Sequence, residues 1–207
     1  MPCGLRFEKL LWSKGVSLVA GIDEAGRGPL AGPVVAAVAV LPVKFSLAGL
    51  NDSKQLAEDF REELFEALTA NGALICYGIG IAEPAEIDRF NILRATFLAM
   101  QRAIVALPMQ PEHLLIDGLP VPVFQQPQTA IVGGDGKSKS IAAASVIAKV
   151  TRDRMMRKWH SEFPQYSFDR NKGYGTREHL ESLQIHGPCP IHRRSFAPVS
   201  QTYFIFH

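Results

Sequence analysis

Long apolar runs are missing from this chain. The longest, Val34 to Leu41, is closed off by Pro33 and Pro42. It falls far short of the roughly 20 residues a membrane-spanning helix requires, so no membrane role is expected. Cysteine is scarce. Cys3, Cys76 and Cys189 are odd in number, far apart and never in a CxxC pair, which argues against a disulfide framework or a structural zinc. A reducing cytoplasmic setting fits that usage. The opening MPCGLRFEKLLWSKG mixes charged and apolar residues without a hydrophobic core of its own, so no signal peptide is read there. Internal repeats and low-complexity linkers are also absent. What remains is an ordinary globular composition, 47% hydrophobic and 20% charged over 207 residues. One domain, 1–207, is expected, with about 160–207 as a helical C-terminal extension that contributes to substrate binding.

Net charge is only +2, but it is unevenly placed. Residues 1–135 hold 10 Lys/Arg and 15 Asp/Glu, whereas residues 136–207 hold 12 and 5. A basic final third beside an acidic body suggests a polyanion-binding face next to carboxylates, although scattered solvated charge is an equal competitor. Lys149, Arg152, Arg154, Arg157 and Lys158 fall on one expected helix. Some are expected to track phosphates, and the rest to face water.

Two nucleotide motifs fail on spacing. Gly136-Lys137-Ser138 resembles the end of a P-loop, but position 131 is Ile where that motif needs Gly. Gly26, Gly28 and Gly32 are spaced GxGxxxG and lead into a β run, not a helix. GxSxG and HExxH are absent too. An ATPase, a dinucleotide enzyme, a serine hydrolase and a zincin are thereby disfavoured.

Periodicity places strands at Val16–Ile22, Val34–Leu41, Ala73–Ala82, His113–Ile116 and Thr129–Val132. A helix is expected after Asp52-Ser53, with Leu56, Phe60, Leu64 and Leu68 on one face and Asn71-Gly72 as its stop. A second is capped by Asn91 and ends before Pro108, and a long third covers roughly Ser140 to His160. Short helices broken by Pro and Gly follow. That order predicts a mixed α/β sheet flanked by helices.

Four acids stand where acids are costly. Asp23 and Glu24 end an apolar strand, Asp117 ends HLLID, and Asp135 follows TAIVGG. Three strand ends can bring these carboxylates to one edge of a sheet, where like charges raise each other's pKa. A divalent cation resolves the conflict, and an oxygen-only ligand set points to Mg²⁺ or Mn²⁺. Asp before Gly is also a common turn former, and for Asp117 or Asp135 taken singly that reading is the stronger. Adjacent strand residues face opposite ways. Asp23 and Glu24 can therefore share a centre only if the chain twists or turns between them.

The segment GIDEAGRGPLAGPVVAAVAV (Gly21 to Val40) resembles the opening motif of the ribonuclease HII family. NDSKQL (51–56), LLIDG (114–118), GDGKSKSIAAASVIAKVTRD (134–153), NKGYGT (171–176) and HRRSF (192–196) resemble its later motifs in the same order. The resemblance implies a ribonuclease H-like fold with a five-stranded mixed sheet. It implies an endonuclease that cuts the RNA strand of RNA–DNA hybrids. Its characteristic target is a ribonucleotide embedded in duplex DNA, nicked on the 5′ side to leave 3′-hydroxyl and 5′-phosphate ends. The catalytic and metal-binding acids become Asp23, Glu24, Asp117 and Asp135. The element that senses the 2′-hydroxyl becomes Gly26, Arg27 and Gly28, the junction-reading tyrosine becomes Tyr174, and a phosphate-side lysine becomes Lys54.

The type 3 relatives usually carry GKG at that element and an extra N-terminal domain, for which the 22 residues before Asp23 leave no room. A two-ion site is expected, the second ion arriving with substrate, with Asp23 and Asp117 as direct ligands and Glu24 and Asp135 completing the shells. A monomer is expected. Lys137 and Lys139 read as solvated loop lysines and His192 as a surface or structural histidine. The tail Gln201–His207 faintly resembles the glutamine-plus-aromatic peptides that bind sliding clamps, but packing against the body is the preferred reading. The competing class is a recognition module without activity, which predicts a damaged acid set.

Overall fold

Alternation inside the apolar runs decides the architecture. The computed structural model describes residues 3–70 and 75–202. Five strands, β1 (Val19–Ala25), β2 (Val34–Val40), β3 (Cys76–Ala82), β4 (His113–Asp117) and β5 (Gln128–Ile131), form one sheet in the order β3-β2-β1-β4-β5. β1 runs antiparallel to β2, and β2 to β3. β4 is parallel to both β1 and β5. The helices are α1 (Arg6–Trp12), α2 (Glu58–Thr69), α3 (Pro84–Phe90), α4 (Ile92–Val105), α5 (Lys139–Glu162), α6 (Phe168–Asn171), α7 (Arg177–His186) and α8 (Val199–Thr202). The arrangement is the five-stranded mixed sheet with flanking helices that the sequence predicts. No helix among the described residues is long and apolar enough to cross a membrane.

Every residue of β2 is buried, because both sheet faces are covered. Val34, Ala36, Val38 and Val40 pack with Ala95, Ala99, Met100 and Ala103 of α4. Ala37 and Ala39 pack with Ala142 to Ala144, Val146, Ile147 and Val150 of α5, and Leu64 and Leu68 of α2 join them. β1 obeys the same period of two. Ala20 and Ile22 face α4, whereas a Cβ at Gly21 would overlap the Ser140 carbonyl carbon and the Ile141 nitrogen. Glycine there lets α5 lie directly on the strand.

One helix begins later than its periodicity predicts. The Asp52 carboxylate accepts from the Lys54 N–H at 2.8 Å and caps a 3₁₀ turn, Ser53–Gln55, instead of the α-helix. Leu56 and Ala57 are extended, and the Arg61 guanidinium takes the carbonyls of Ser53 and Leu56. α2 therefore starts at Glu58, and Phe60 is exposed. The expected stop at Asn71-Gly72 lies outside the described residues. The other expected helices are present: Asn91 caps α4 through the Arg94 N–H at 3.1 Å, and Ser138 caps α5.

Candidate active site

The two parallel pairs, β1–β4 and β4–β5, end at the same sheet edge. Ile22 pairs with Ile116, and the next residue on each strand is Asp23 and Asp117. Both share the face of Gly21 and Leu115, toward α5. β5 pairs its Ile131 with Asp117, then turns through Gly133 (φ 63°) into a short 3₁₀ helix that carries Asp135 just ahead of α5. Carboxylate oxygens of Asp23, Asp117 and Asp135 all lie within 4.8 Å of one another.

Main-chain donors orient these acids. Asp23 Oδ1 accepts from the Glu24 N–H at 2.7 Å, Asp117 Oδ1 from the Gly134 N–H at 2.6 Å, and Asp135 Oδ1 from the Gly136 N–H at 2.9 Å. Lys54 Nζ stands 3.5 Å from Asp135 Oδ2. Burial, then the charges of Glu24 and Asp117, raise the Asp23 carboxyl well above the ordinary range, and the Ser145 hydroxyl only partly relieves it. Burial and the neighbouring Asp117 and Asp52 raise Asp135. Burial alone would pull the Lys54 ammonium down, but Asp23, Asp135, Asp52 and Asp117 outweigh it and raise its pKa. A crowded, oxygen-only donor set in which Asp23 and Asp135 resist ionisation fits a hard divalent cation.

Glu24 stands outside that trio. β1 stays regular through Glu24–Ala36 and Ala25–Val35, so the chain does not turn between Asp23 and Glu24. The Glu24 carboxylate instead takes Arg27 Nη1 at 3.1 Å. Burial raises its pKa, opposed first by Arg27 and reinforced by Asp117, so it still feels the cluster.

Beside the acids is a cavity of about 230 Å³, lined among others by Glu24, Gly26, Arg27, Gly28, Lys54, Lys149 and Tyr174. It gathers every nucleic-acid-reading residue expected from the sequence. Gly26 needs a left-handed φ of 95° to leave β1, and a Cβ there would strike the Arg152 side chain. Tyr174 is 47% exposed, and its ring passes 3.7 Å from where a Gly28 Cβ would be.

Arg152, expected to track phosphate or face water, is buried instead, and Arg193 beside it escapes sequence reasoning. Arg152 and Arg193 are 1% and 0% exposed. Arg152 donates to the carbonyls of Pro33 (2.9 Å), Lys172 (2.9 Å) and Ala31 (3.0 Å). Arg193 donates to Gly32 (2.9 Å), Arg27 (2.9 Å), Gly26 and Pro33 (3.2 Å). Neither makes a salt bridge among the described residues. Burial lowers Arg152 to about 10 and, with the neighbouring Arg152 charge, Arg193 to about 9. The other helix cations behave differently: Arg154 and Arg157 bind Glu58, Glu62 and Glu66 of α2, and Lys149 binds Asp153 at 2.6 Å.

His192 is buried, not superficial. The Cys189 N–H donates to its Nδ1 at 3.0 Å, and its Nε2 is 3.0 Å from His179 Nε2. His179 Nδ1 is 2.8 Å from the Tyr174 carbonyl. A carbonyl only accepts, so His179 carries its proton on Nδ1, His192 carries its own on Nε2, and both rings are neutral. Burial, with the adjacent His179, pushes His192 down to about 3.

The model of a family described as Ribonuclease HII matches residues 20–199. A Ribonuclease HII of Desulfitobacterium hafniense (strain DSM 10664 / DCB-2) is 58% identical over 197 residues, covering 95% of this chain and 75% of that protein. The crystal structure of ribonuclease H2 from Pyrococcus horikoshii OT3 superposes with a TM-score of 0.74 at 30% identity, covering 91% of this chain and 98% of that one. The structure of a PCNA:RNase HII complex from Archaeoglobus fulgidus contains a chain with a TM-score of 0.67 and 26% identity, covering 86% and 95%.

Proposed function

The chain belongs to the ribonuclease HII family, endoribonucleases of RNA–DNA hybrids, and from that premise we propose that it nicks duplex DNA on the 5′ side of an embedded ribonucleotide, leaving 3′-hydroxyl and 5′-phosphate ends. One observation carries this reading. The carboxylates of Asp23 and Asp117 on adjacent strands and of Asp135 on the following 3₁₀ turn lie within 4.8 Å of one another and adjoin a cavity lined by Arg27, Gly28, Lys54 and Tyr174.

Asp23, Asp117 and Asp135 would hold Mg²⁺ or Mn²⁺, and Glu24, on the opposite strand face and paired with Arg27, would act on them through its charge. When bound, the ions supply an activated water and neutralise charge on the leaving oxygen. The protein's own groups do the remaining work. The Glu24, Gly134 and Gly136 amides each hold one carboxylate oxygen, so the acids keep their orientation without substrate. Lys54, raised in pKa and 69% exposed at its side chain, stays protonated at the cavity mouth and offers three donors to a phosphate.

The 2′-hydroxyl, donor and acceptor at once, is the feature that distinguishes RNA from DNA. The Gly26–Gly28 main chain can approach it closely because no Cβ intervenes at either glycine, and the Tyr174 ring packs on the adjoining sugar. Residues 160–207 would act as part of one catalytic domain by contributing that tyrosine. The Archaeoglobus fulgidus relative is seen with PCNA. This supports a sliding-clamp contact, for which the sequence offers the tail Gln201–His207, of which 203–207 lie outside the described residues.

The test is cleavage of a duplex bearing one ribonucleotide, against an all-DNA control, with Mg²⁺, Mn²⁺ or chelator. A metal-dependent 5′ nick whose 3′ end a polymerase extends is expected. Binding without cleavage under either metal would overturn the enzymatic reading in favour of a recognition module. Tyr174→Ala should cut the single-ribonucleotide duplex about 10- to 100-fold more slowly, an aromatic contact on a nucleotide being worth about 1–3 kcal/mol. An unchanged rate on that substrate removes the tyrosine from junction reading.

A further inference from the structure

Arg193 and Arg152 raise a question that fold stability does not answer. Burying a guanidinium without a carboxylate is costly, and well-packed apolar side chains often serve a core as well or better. Here two are buried side by side, and their seven hydrogen bonds go only to main-chain carbonyls. Six of those bonds end on five carbonyls in the single stretch from Gly26 to Pro33.

The identity of the acceptors matters. A trans peptide unit points its N–H opposite its C=O. Arg193 takes the carbonyls of Gly26 and Arg27 with separate arms of one planar fork. That turns the N–H groups of Arg27 and Gly28 away from the guanidinium. Both residues are exposed and line the cavity, and neither amide donates a hydrogen bond within the described residues. Arg152 repeats the device one turn along the loop. It holds Ala31 and Pro33 and also reaches the Lys172 carbonyl, two residues before Tyr174. The Leu30 N–H donates to the Gly173 carbonyl at 2.8 Å, so the two loops are joined directly as well.

We propose that Arg193, supported by Arg152, is a positioning residue for specificity: it presets the outward amides of Arg27 and Gly28 against the ribose and sets how sharply the enzyme distinguishes a ribonucleotide from a deoxyribonucleotide. The proposal rests on the reading of Gly26–Gly28 as the 2′-hydroxyl sensor. Lysine keeps the charge but offers a point donor that cannot address two successive carbonyls with a fork.

The experiment compares wild type with Arg193→Lys. It measures kcat and KM on the single-ribonucleotide duplex, Kd for the all-DNA duplex of the same sequence, and thermal melting. The variant should lose about 100-fold in kcat/KM, carried in kcat, because small misplacement of a positioning element costs that much. Its Kd for all-DNA duplex should stay within about twofold. Wild-type kcat/KM in the variant overturns the proposal, as does an equal loss of cleavage and all-DNA binding, the signature of a general structural defect. If Arg193→Lys does not fold, ¹⁵N relaxation on substrate-free wild type decides. Order parameters near the rigid value of about 0.85 at Arg27 and Gly28 are expected, and values below about 0.6 overturn it. Failure of wild type to cut at a ribonucleotide would instead overturn the proposed function.

Discussion

Burial and the neighbouring acids Glu24 and Asp117 oppose ionisation of Asp23. Its native pKa is raised from 3.8, so the folded state holds that proton more tightly than the unfolded chain. Stability then falls as pH rises through the window between the two values. Asp23→Asn should raise the melting temperature of chelator-treated protein at about pH 7 while abolishing cleavage. The gain should vanish toward about pH 4, and a lower melting temperature at neutral pH would show the acid to be charge-balanced. His192 carries the opposite sign. Its native pKa falls from 6.5 to about 3, so the unfolded chain protonates first and stability is lost as pH drops below 6.5. Wild type should lose melting temperature more steeply than His192→Gln between about pH 6.5 and 5, and parallel curves would exclude a neutral buried ring. The acids were legible in the sequence because a carboxylate at the end of an apolar strand is conspicuous. Arg152 and Arg193 were not, since an arginine among other cations reads as a solvated or phosphate-tracking one until its carbonyl partners, distant in sequence, are known.

Elements were legible where one pattern governed them. β2 is a continuous apolar run because α4 covers one face and α5 the other, and no competing signal intrudes. α3 was missed although Pro84 follows Glu83, whose side chain forms a capping box with Glu86. Its seven residues are too few for helical periodicity to show. α1 is equally short, and its buried Glu8 looks like a surface charge until Ser138 and Ser140 are seen donating to it at 2.6–3.0 Å. Arg154 and Arg157 show the same ambiguity between helices, since their acidic partners lie on α2. Arg154→Ala should therefore cost no more than about 1 kcal/mol and leave substrate affinity within about twofold, as for an exposed ion pair. A several-fold loss of affinity in a low-salt binding assay would return that arginine to the phosphate-tracking set.

Parallel pairing of β1, β4 and β5 accounts for the placement of the site in the whole molecule. Parallel strands present their C-terminal ends at one edge, where open α/β sheets place their ligands. The acidic body and basic final third meet there, yet part of that basic charge is spent on acids of the body, as in Arg154–Glu62 and Arg157–Glu58. The charge imbalance in the sequence therefore overstates the cationic surface left for nucleic acid. The proposed clamp contact belongs at this scale too. Removing residues 201–207 should abolish co-elution with a sliding clamp without changing cleavage of a short duplex, and retained co-elution would place the contact elsewhere.

The segment at Cys3 and Gly4 is fastened to the loop that bears Asp135. Gly4 exchanges main-chain hydrogen bonds with Lys137 (3.2 Å) and Lys139 (3.0 Å), and the Cys3 Sγ is 3.8 Å from the Asp135 carbonyl. Burial raises the Cys3 thiol to about 11, so alkylating reagents meet little thiolate there at neutral pH. An affinity tag or fluorophore joined at the front of the chain would pull on the loop that bears Asp135.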